Sequence, residues 1–444
     1  MPNRPADPVR VARWGLFVLT FVNLFNYLDR FILAAVVESL KKPFPQGLAL
    51  SDTQLGALAT GFILVYMLTS PIFGTLGDRG GRPRLIAAGV AIWSVATALG
   101  ALAKGFASLF LARSTVGVGE AAYGTVSPAL LADYFPVEQR GRVFAVFSAA
   151  IPIGSAAGYM LGGYVDSHLG WRAAFFVAGV PGLLLAWLTS RLLDPPRGAQ
   201  EGGTAHAAGH GVALGRQALA AYTGLLRNVP YTLTVLGYAA YTFALGALAF
   251  WTPAFLERER GLTHADATVQ FGAIVVVTGF VGTFVGGWVG DRLLPRFREA
   301  YLWVSGIATL AAVPFAWMAF TAHGRGAYTT AIVIAEILVF FSTGPVNSAI
   351  INVVEPERRA TAVALSILAI HLLGDVPSPP LIGLVSDHSS LGRALLILPA
   401  AFGVSGLIWI WAAWRGETLT PPTPSLPALH PPQPGREGAQ SKPS

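Results

Sequence analysis

Twelve stretches of this chain are long and apolar enough to cross a bilayer, near 14–38, 52–76, 84–104, 106–131, 140–165, 172–192, 230–256, 266–290, 299–320, 327–353, 360–386 and 392–414. A membrane helix needs about 20 apolar residues. Lipid offers no partner to a backbone amide, so runs of this length must satisfy their own hydrogen bonds as helices. Composition agrees: of 444 residues only 12% are charged, against about 25% in an average soluble chain. The expected fold is an all-α membrane protein with twelve transmembrane helices. A soluble enzyme of two or three domains is excluded.

Loop charge gives the orientation. Of the 30 lysines and arginines, 20 fall on the side holding both termini and eight on the other; Arg30 and Arg113 remain inside spans. By the positive-inside rule both termini are cytoplasmic. The basic balance (+7) thus reflects topology, and no nucleic-acid partner is expected. The first span, after Arg13, runs far longer than a signal-peptide core and is read as retained; the expected location is the cell (inner) membrane. The absence of cysteine excludes disulfides, thiolate metal sites and cysteine nucleophiles.

The chain divides into a cytoplasmic N-terminus (1–13), a six-helix bundle (14–193), a polar linker (194–226), a second six-helix bundle (227–415) and a proline-rich tail (416–444) expected to be disordered. An internal repeat supports this division. Gly74-Thr75-Leu76-Gly77-Asp78-Arg79, continuing through Arg82-Pro83-Arg84, is echoed by Gly287-Trp288-Val289-Gly290-Asp291-Arg292, 213 residues later. Glu138-Gln139-Arg140 before the fifth span is likewise echoed by Glu357-Arg358-Arg359 before the eleventh. Two homologous six-helix halves around a central site are the plan of many secondary transporters.

These loops resemble those of the major facilitator superfamily. A narrower resemblance, to its Spinster-like branch, rests on four segments. They are Asn26-Tyr27-Leu28-Asp29-Arg30 in helix 1, Arg113 with Gly119-Glu120-Ala121-Ala122-Tyr123 in helix 4, Ala150-Ile151-Pro152-Ile153-Gly154-Ser155 in helix 5, and His371-Leu372-Leu373-Gly374-Asp375 with Ser378-Pro379 in helix 11. The similarity spans roughly 14–414. It implies the major facilitator fold and transport of an amphiphilic, lipid-like anion such as a lysophospholipid or a phosphorylated sphingoid base. It also links Glu120 and Asp29 to proton coupling and head-group recognition. A proton-coupled organic-anion symporter or drug exporter of the same superfamily is the alternative, and a non-transporting permease-like sensor the rival outside the class.

Four intramembrane charges carry the physical argument: Asp29 and Arg30 in helix 1, Arg113 and Glu120 in helix 4. Each costs about 2.5–3.5 kcal/mol at a helix centre, so all four left unpaired cost on the order of 10–14 kcal/mol. At 1.5 Å per residue, Asp29 sits about 22 Å from the cytoplasmic edge and Arg113 about 10 Å below the outer one, so their heights nearly coincide in a core about 30 Å thick. Arg113 and Glu120, seven apart, share a face. The four can line one column, where an arginine moving towards or away from a carboxylate switches its hold on a proton. The bland reading is a permanent salt-bridge lock. His371 and Asp375, one helical turn apart, are a second candidate relay, or a hydrogen-bonded packing pair beside a kink at Pro377, Pro379 and Pro380. Glu336, alone in helix 10, reads as a structural hydrogen bonder.

Asn26, Tyr27, Tyr123, Tyr238, Tyr241 and Trp251 are candidates for an amphipathic substrate cavity. Gly74, Gly77, Asp78, Arg79, Arg82, Asp291 and Arg292 are candidates for a gate in which Asp78 pairs across the two halves and releases on opening. No phosphate loop, zinc-protease motif or nucleophile elbow appears, so neither an enzyme nor a cofactor is expected. Twelve helices suffice for a pathway through one chain, so the expected partners are the substrate, protons and lipid, with function as a monomer.

Overall fold

The computed structural model describes residues 8–197, 199–200, 216–354 and 358–416. The tail, most of the linker's centre and Glu357 of the weaker repeat lie outside them. The described residues are almost wholly helical, and eleven helical spans are long and apolar enough to cross a membrane. The twelfth crossing is Phe106–Tyr134, 29 residues long, which carries Arg113, Glu120 and Asp133 within its length.

In the first half α1 (Pro8–Ala35) ends in the short α2 (Val37–Lys41), followed by α3 (Asp52–Arg79), α4 (Arg82–Gly100), α5 (Phe106–Tyr134), α6 (Val137–Leu169) and α7 (Trp171–Ser190). Ser51 starts α3 with a capping box: its hydroxyl accepts from Gln54 N while the Gln54 side chain accepts from Ser51 N. Gly80 and Gly81, at φ 115° and 67°, turn α3 into α4, a conformation that a Cβ disfavours.

The stretch read as a polar linker is helical at its end, as α8 (Arg216–Arg227). The second half holds α9 (Val229–Arg258), α10 (His264–Leu293), α11 (Ala300–Thr321), α12 and α13 (Arg325–Phe340, Thr343–Asn352), α14 and α15 (Arg359–Ile370, Ser378–His388), and α16 and α17 (Leu391–Leu395, Ile397–Arg415). α12–α13 and α14–α15 are single crossings interrupted within the membrane, whereas α16–α17 breaks at Leu396, near the start of its crossing. Between α14 and α15 the interruption is a π-helical turn, His371–Asp375, ahead of Pro377, where an unsatisfied carbonyl is expected.

The apolar core shows how the halves meet. One cluster runs through both, from Leu28, Ile32, Leu55 and Leu58 to Phe250, Phe255 and Phe271. A second belongs to the first half alone, including Val18, Ile86, Leu130 and Tyr134. A third belongs to the second half, including Leu225, Tyr231 and Val353. The halves are therefore fused towards the face opposite the termini and separate towards the terminal face. α3 packs on α15 and α10 on α6 across the joint, where Gly56 lies against the Pro379 backbone and Gly163 against Thr268. No side chain larger than hydrogen fits at either contact.

Candidate functional site

A cavity of about 500 Å³ sits at mid-membrane between the halves. Its volume is within the usual range for small-molecule sites. α1 contributes Asn26, Tyr27 and Arg30, α3 Phe62 and Tyr66, and α5 Arg113, Glu120 and Tyr123. From the other half come Thr242, Leu245, Gly246 and Phe250 of α9, with His371 and Asp375 of the π turn.

The four intramembrane charges come together as two crossed pairs. Arg30 Nη2 donates to Glu120 Oε2 at 2.7 Å, and Arg113 Nη1 lies 3.4 Å from Asp29 Oδ1. Asp29 also accepts from Thr97 Oγ1 of α4 at 2.8 Å and is fully buried. Arg30 alone of the four is part-exposed, its side chain 29% accessible. Arg30 and Glu120 thus form the cavity wall, while Asp29 stands behind it, held by Arg113 and Thr97.

The Phe62 ring lies under both arginines, 5.0 Å from the Arg30 guanidinium carbon and 5.6 Å from that of Arg113. Tyr27 and Tyr66 complete an aromatic surround at 4.9 and 5.7 Å. Such faces attract a desolvated cation, so they support either guanidinium without fixing its partner. Arg30 Nε, Glu120 Oε1, Asn26 Nδ2 and Asp375 Oδ1 are buried without a protein hydrogen-bond partner. With Arg113 Nε, likewise unpartnered, the cavity-lining residues hold three donors and two acceptors without a protein partner. Phe62, Tyr66 and Thr97 carried no sequence signal, because ring-over-guanidinium and hydroxyl contacts between helices have no periodicity along the chain.

On the opposite wall His371 Nδ1 and Asp375 Oδ2 are 2.8 Å apart. The π turn keeps them paired and facing the cavity. Glu336 is buried in the second half and accepts from Thr278 Oγ1 at 2.7 Å, away from the cavity lining.

Three of the expected cavity residues lie elsewhere. Tyr241 is buried among Tyr238, Phe402 and Trp409, its hydroxyl donating to Val339 O. Tyr238 belongs to the same ring cluster and lies 3.4 Å from Asn347. Trp251 is fully buried and donates to Pro379 O. The phase of α9 explains this. The cavity face runs through 242, 245, 246, 249 and 250, and the aromatic residues point into the helix packing of the second half. Asn26, Tyr27 and Tyr123 do line the cavity.

Among the described residues, the repeated glycine-rich loops make no ion pair between the halves. Asp78 lies 3.7 Å from Arg197, and both are well exposed. Gly77 offers its carbonyl to Arg197 and packs against Val126, with Gly74 beside Thr125. Arg82 is buried and pairs with Asp133 of its own half and with Asp194 at the start of the linker. Arg79 closes α3 as its last residue. In the second copy Asp291 accepts from Tyr301 and Arg292 lies over Trp288. Among the described residues, the cross-half pairing expected of Asp78 is not formed; its ion partner is Arg197.

The polar bridge lies at the opposite face and was not anticipated. Arg258 at the end of α9 donates to Glu38 Oε1 (2.5 Å) and Asp52 Oδ2 (2.6 Å) of the first half. Asp52 also accepts from Lys41 and from Ser386 of α15. Asp387 accepts from Asp52 N, Thr53 N and Thr53 Oγ1 at 2.6–2.9 Å, so a carboxylate of one half sits at the α3 N-terminus of the other. Deeper in, Thr60 donates to Val376 O and Tyr159 to Ala249 O. Cross-half pairs 90–335 residues apart leave no local signature; in the sequence the charged ones are ordinary charges at span ends.

Comparison with known proteins agrees with this architecture. Residues 19–374 match the Major Facilitator Superfamily. The chain is 33% identical to protein spinster of Drosophila melanogaster over 401 residues, covering 87% of this chain and 64% of that protein. It is 37% identical to human protein spinster homolog 1 over 393 residues, covering 84% and 72%. A bacterial homolog to the human lysosomal transporter Spinster, solved in an inward-facing and occupied conformation, superposes with a TM-score of 0.80 at 22% identity, covering 94% of this chain and 100% of that one. By its twelve crossings, its repeated loops and these relatives, the chain belongs to the Major Facilitator Superfamily, in the Spinster branch, whose members are membrane transporters.

Proposed function

We propose that this protein is a proton-coupled secondary transporter of an amphiphilic, lipid-like anion, of the lysophospholipid or phosphorylated sphingoid-base class. It works by alternating access in the cell (inner) membrane, as a monomer, with both termini cytoplasmic. Two bundles, 14–193 and 227–415, rock about the central cavity, with 194–226 as the connection between them. In that orientation the structure is open to the cytoplasm.

The observation that carries this reading is the Arg30–Glu120 pair on the cavity wall, backed by Arg113–Asp29. An anionic head group that engages Arg30 competes with Glu120 for the same guanidinium. Glu120, left in a low-dielectric wall, then takes up a proton, since a buried unpaired carboxylate is costly. Loss of substrate restores the pair and releases the proton. Asp29, shielded from the cavity by Arg113 and Thr97, serves as the second carboxylate of the column. His371 and Asp375 relay protons on the opposite wall. Phe31, Phe62, Phe147, Ile151 and Phe250 give the cavity an apolar lining suited to an acyl or alkyl chain.

The test is proton movement in liposomes loaded with a pH-sensitive dye. A lysophospholipid or sphingoid-base phosphate should drive it in the wild type, and Glu120→Gln should abolish it. Movement driven only by short organic anions would retain the coupling and remove the lipid assignment. Full coupling in Glu120→Gln would remove Glu120 from the mechanism.

A further inference from the structure

At the face opposite the termini, away from the central column, His264 stands between two carboxylates. Its Nδ1 is 2.7 Å from Glu257 Oε2 at the end of α9. Its Nε2 is 3.0 Å from Asp166 Oδ2 near the end of α6. The second contact has ion-pair distance without hydrogen-bond alignment, and neither of its two buried atoms has another partner. Glu257 and His264 belong to the second half and Asp166 to the first, so the His264–Asp166 contact crosses the joint. It adjoins the tightest α6–α10 packing, at Gly163 and Thr268.

A neutral imidazole carries one N–H and one lone pair. Either tautomer would set that lone pair against a carboxylate oxygen at 2.7 or 3.0 Å. The arrangement therefore holds one proton more than a neutral histidine and two carboxylates, as an imidazolium or as a protonated carboxyl. The neighbouring charges are engaged elsewhere. Asp266 accepts from Thr263, His168 faces Ser167 and the Tyr164 carbonyl, Arg258 faces Glu38 and Asp52, and Arg260 donates to the Phe320 carbonyl. Among the described residues, Asp166 and Glu257 are thus the charged groups that face His264. The Asp166 side chain is only 2% exposed, so an unprotonated site would bury a carboxylate against a lone pair.

We propose that Glu257, His264 and Asp166 form a second proton-binding site, a latch that holds the two halves together at this face while protonated and releases them when the proton leaves. Glu257 orients the ring, and Asp166 receives the charge across the joint. The inference rests on the alternating-access reading but not on the role given to Glu120. The sign is definite: the proton is bound in the closed arrangement, so raising the pH opens this face and lowering it closes it. For one proton the closed-to-open ratio changes by at most about tenfold per pH unit.

The chain has no cysteine, so a spin-label pair at Lys104→Cys and His323→Cys, in exposed loops of the two halves at this face, reports its width in nanodiscs by pulsed electron resonance. The unmutated site should give a short distance near pH 5 and a growing long component towards pH 9. His264→Gln and Asp166→Asn should flatten that profile. His264→Lys, with a fixed cation, should keep the distance short throughout. Should His264→Gln fold poorly, the His264→Lys profile decides alone. A wild-type pH profile in either His264 variant would overturn the latch. Glu120→Gln should keep the profile while losing substrate-driven proton movement, so the failure of one reading is visible apart from the failure of the other.

Discussion

Arg113 and Asp29 show what a single buried charge demands of its surroundings. Each is about 1% exposed or less, and each is the other's side-chain ion partner. Removing one partner of such a pair costs about 3–5 kcal/mol, whereas replacing both with apolar residues is often neutral. Asp29→Leu should therefore lower the thermal midpoint in detergent strongly, and Asp29→Leu with Arg113→Met should recover most of the loss. A double variant as unstable as the single would show that Thr97 and Phe62, not the ion pair, hold this wall. These two charges were legible in the sequence because an ionised group in an apolar run is costly wherever it falls. Their partners Thr97 and Phe62 were not, because a threonine or phenylalanine in a membrane helix is unremarkable until its neighbour is known.

Among the helices, the closed face depends on contacts that tolerate no Cβ. Gly56 of α3 meets the Pro379 backbone of α15, and Gly383 meets the Asp52 backbone in return. Adding side-chain bulk to a packed contact costs about 1–3 kcal/mol, here charged only to the closed arrangement. Gly56→Leu should raise maleimide labelling of Ile382→Cys, which is fully buried in the closed joint, by about tenfold or more. Unchanged labelling would show that the face stays shut without this contact. Helix existence was readable from apolar run length throughout. The interruption of the eleventh crossing was signalled by Pro377, Pro379 and Pro380, whereas the break in the tenth was not, because an interruption within the membrane changes hydrogen bonding without changing apolarity. The aromatic residues of α9 misled for a related reason. Tyr238, Tyr241 and Trp251 suit a cavity by chemistry, but rotation of the helix turns them into the core.

In the whole molecule, the joint at the face opposite the termini combines a continuous apolar core with the Arg258 network, whereas the terminal face has separate cores. Arg258→Ala leaves Glu38 and Asp52 close together without their shared cation. Hydrogen exchange should then quicken at 38–60 and 376–390 relative to the helices facing lipid, with transport slowed because one end of the cycle is no longer held. Uniformly unchanged exchange would assign closure to the apolar contacts alone.

The chain's own pattern of apolar length, loop charge and repeated glycine-rich loops determined the helical class, the twelve crossings and the four charged residues at the centre. Those features are costs that each segment meets against lipid and water independently of every other segment. Which charges pair, which aromatic residues reach the cavity, and which face is shut were decided only by the tertiary structure. Arg30 meets Glu120, Arg258 meets Asp52 and His264 meets Asp166 across 90 or more positions of chain, and the energy of each pair depends on a distance that no single helix contains.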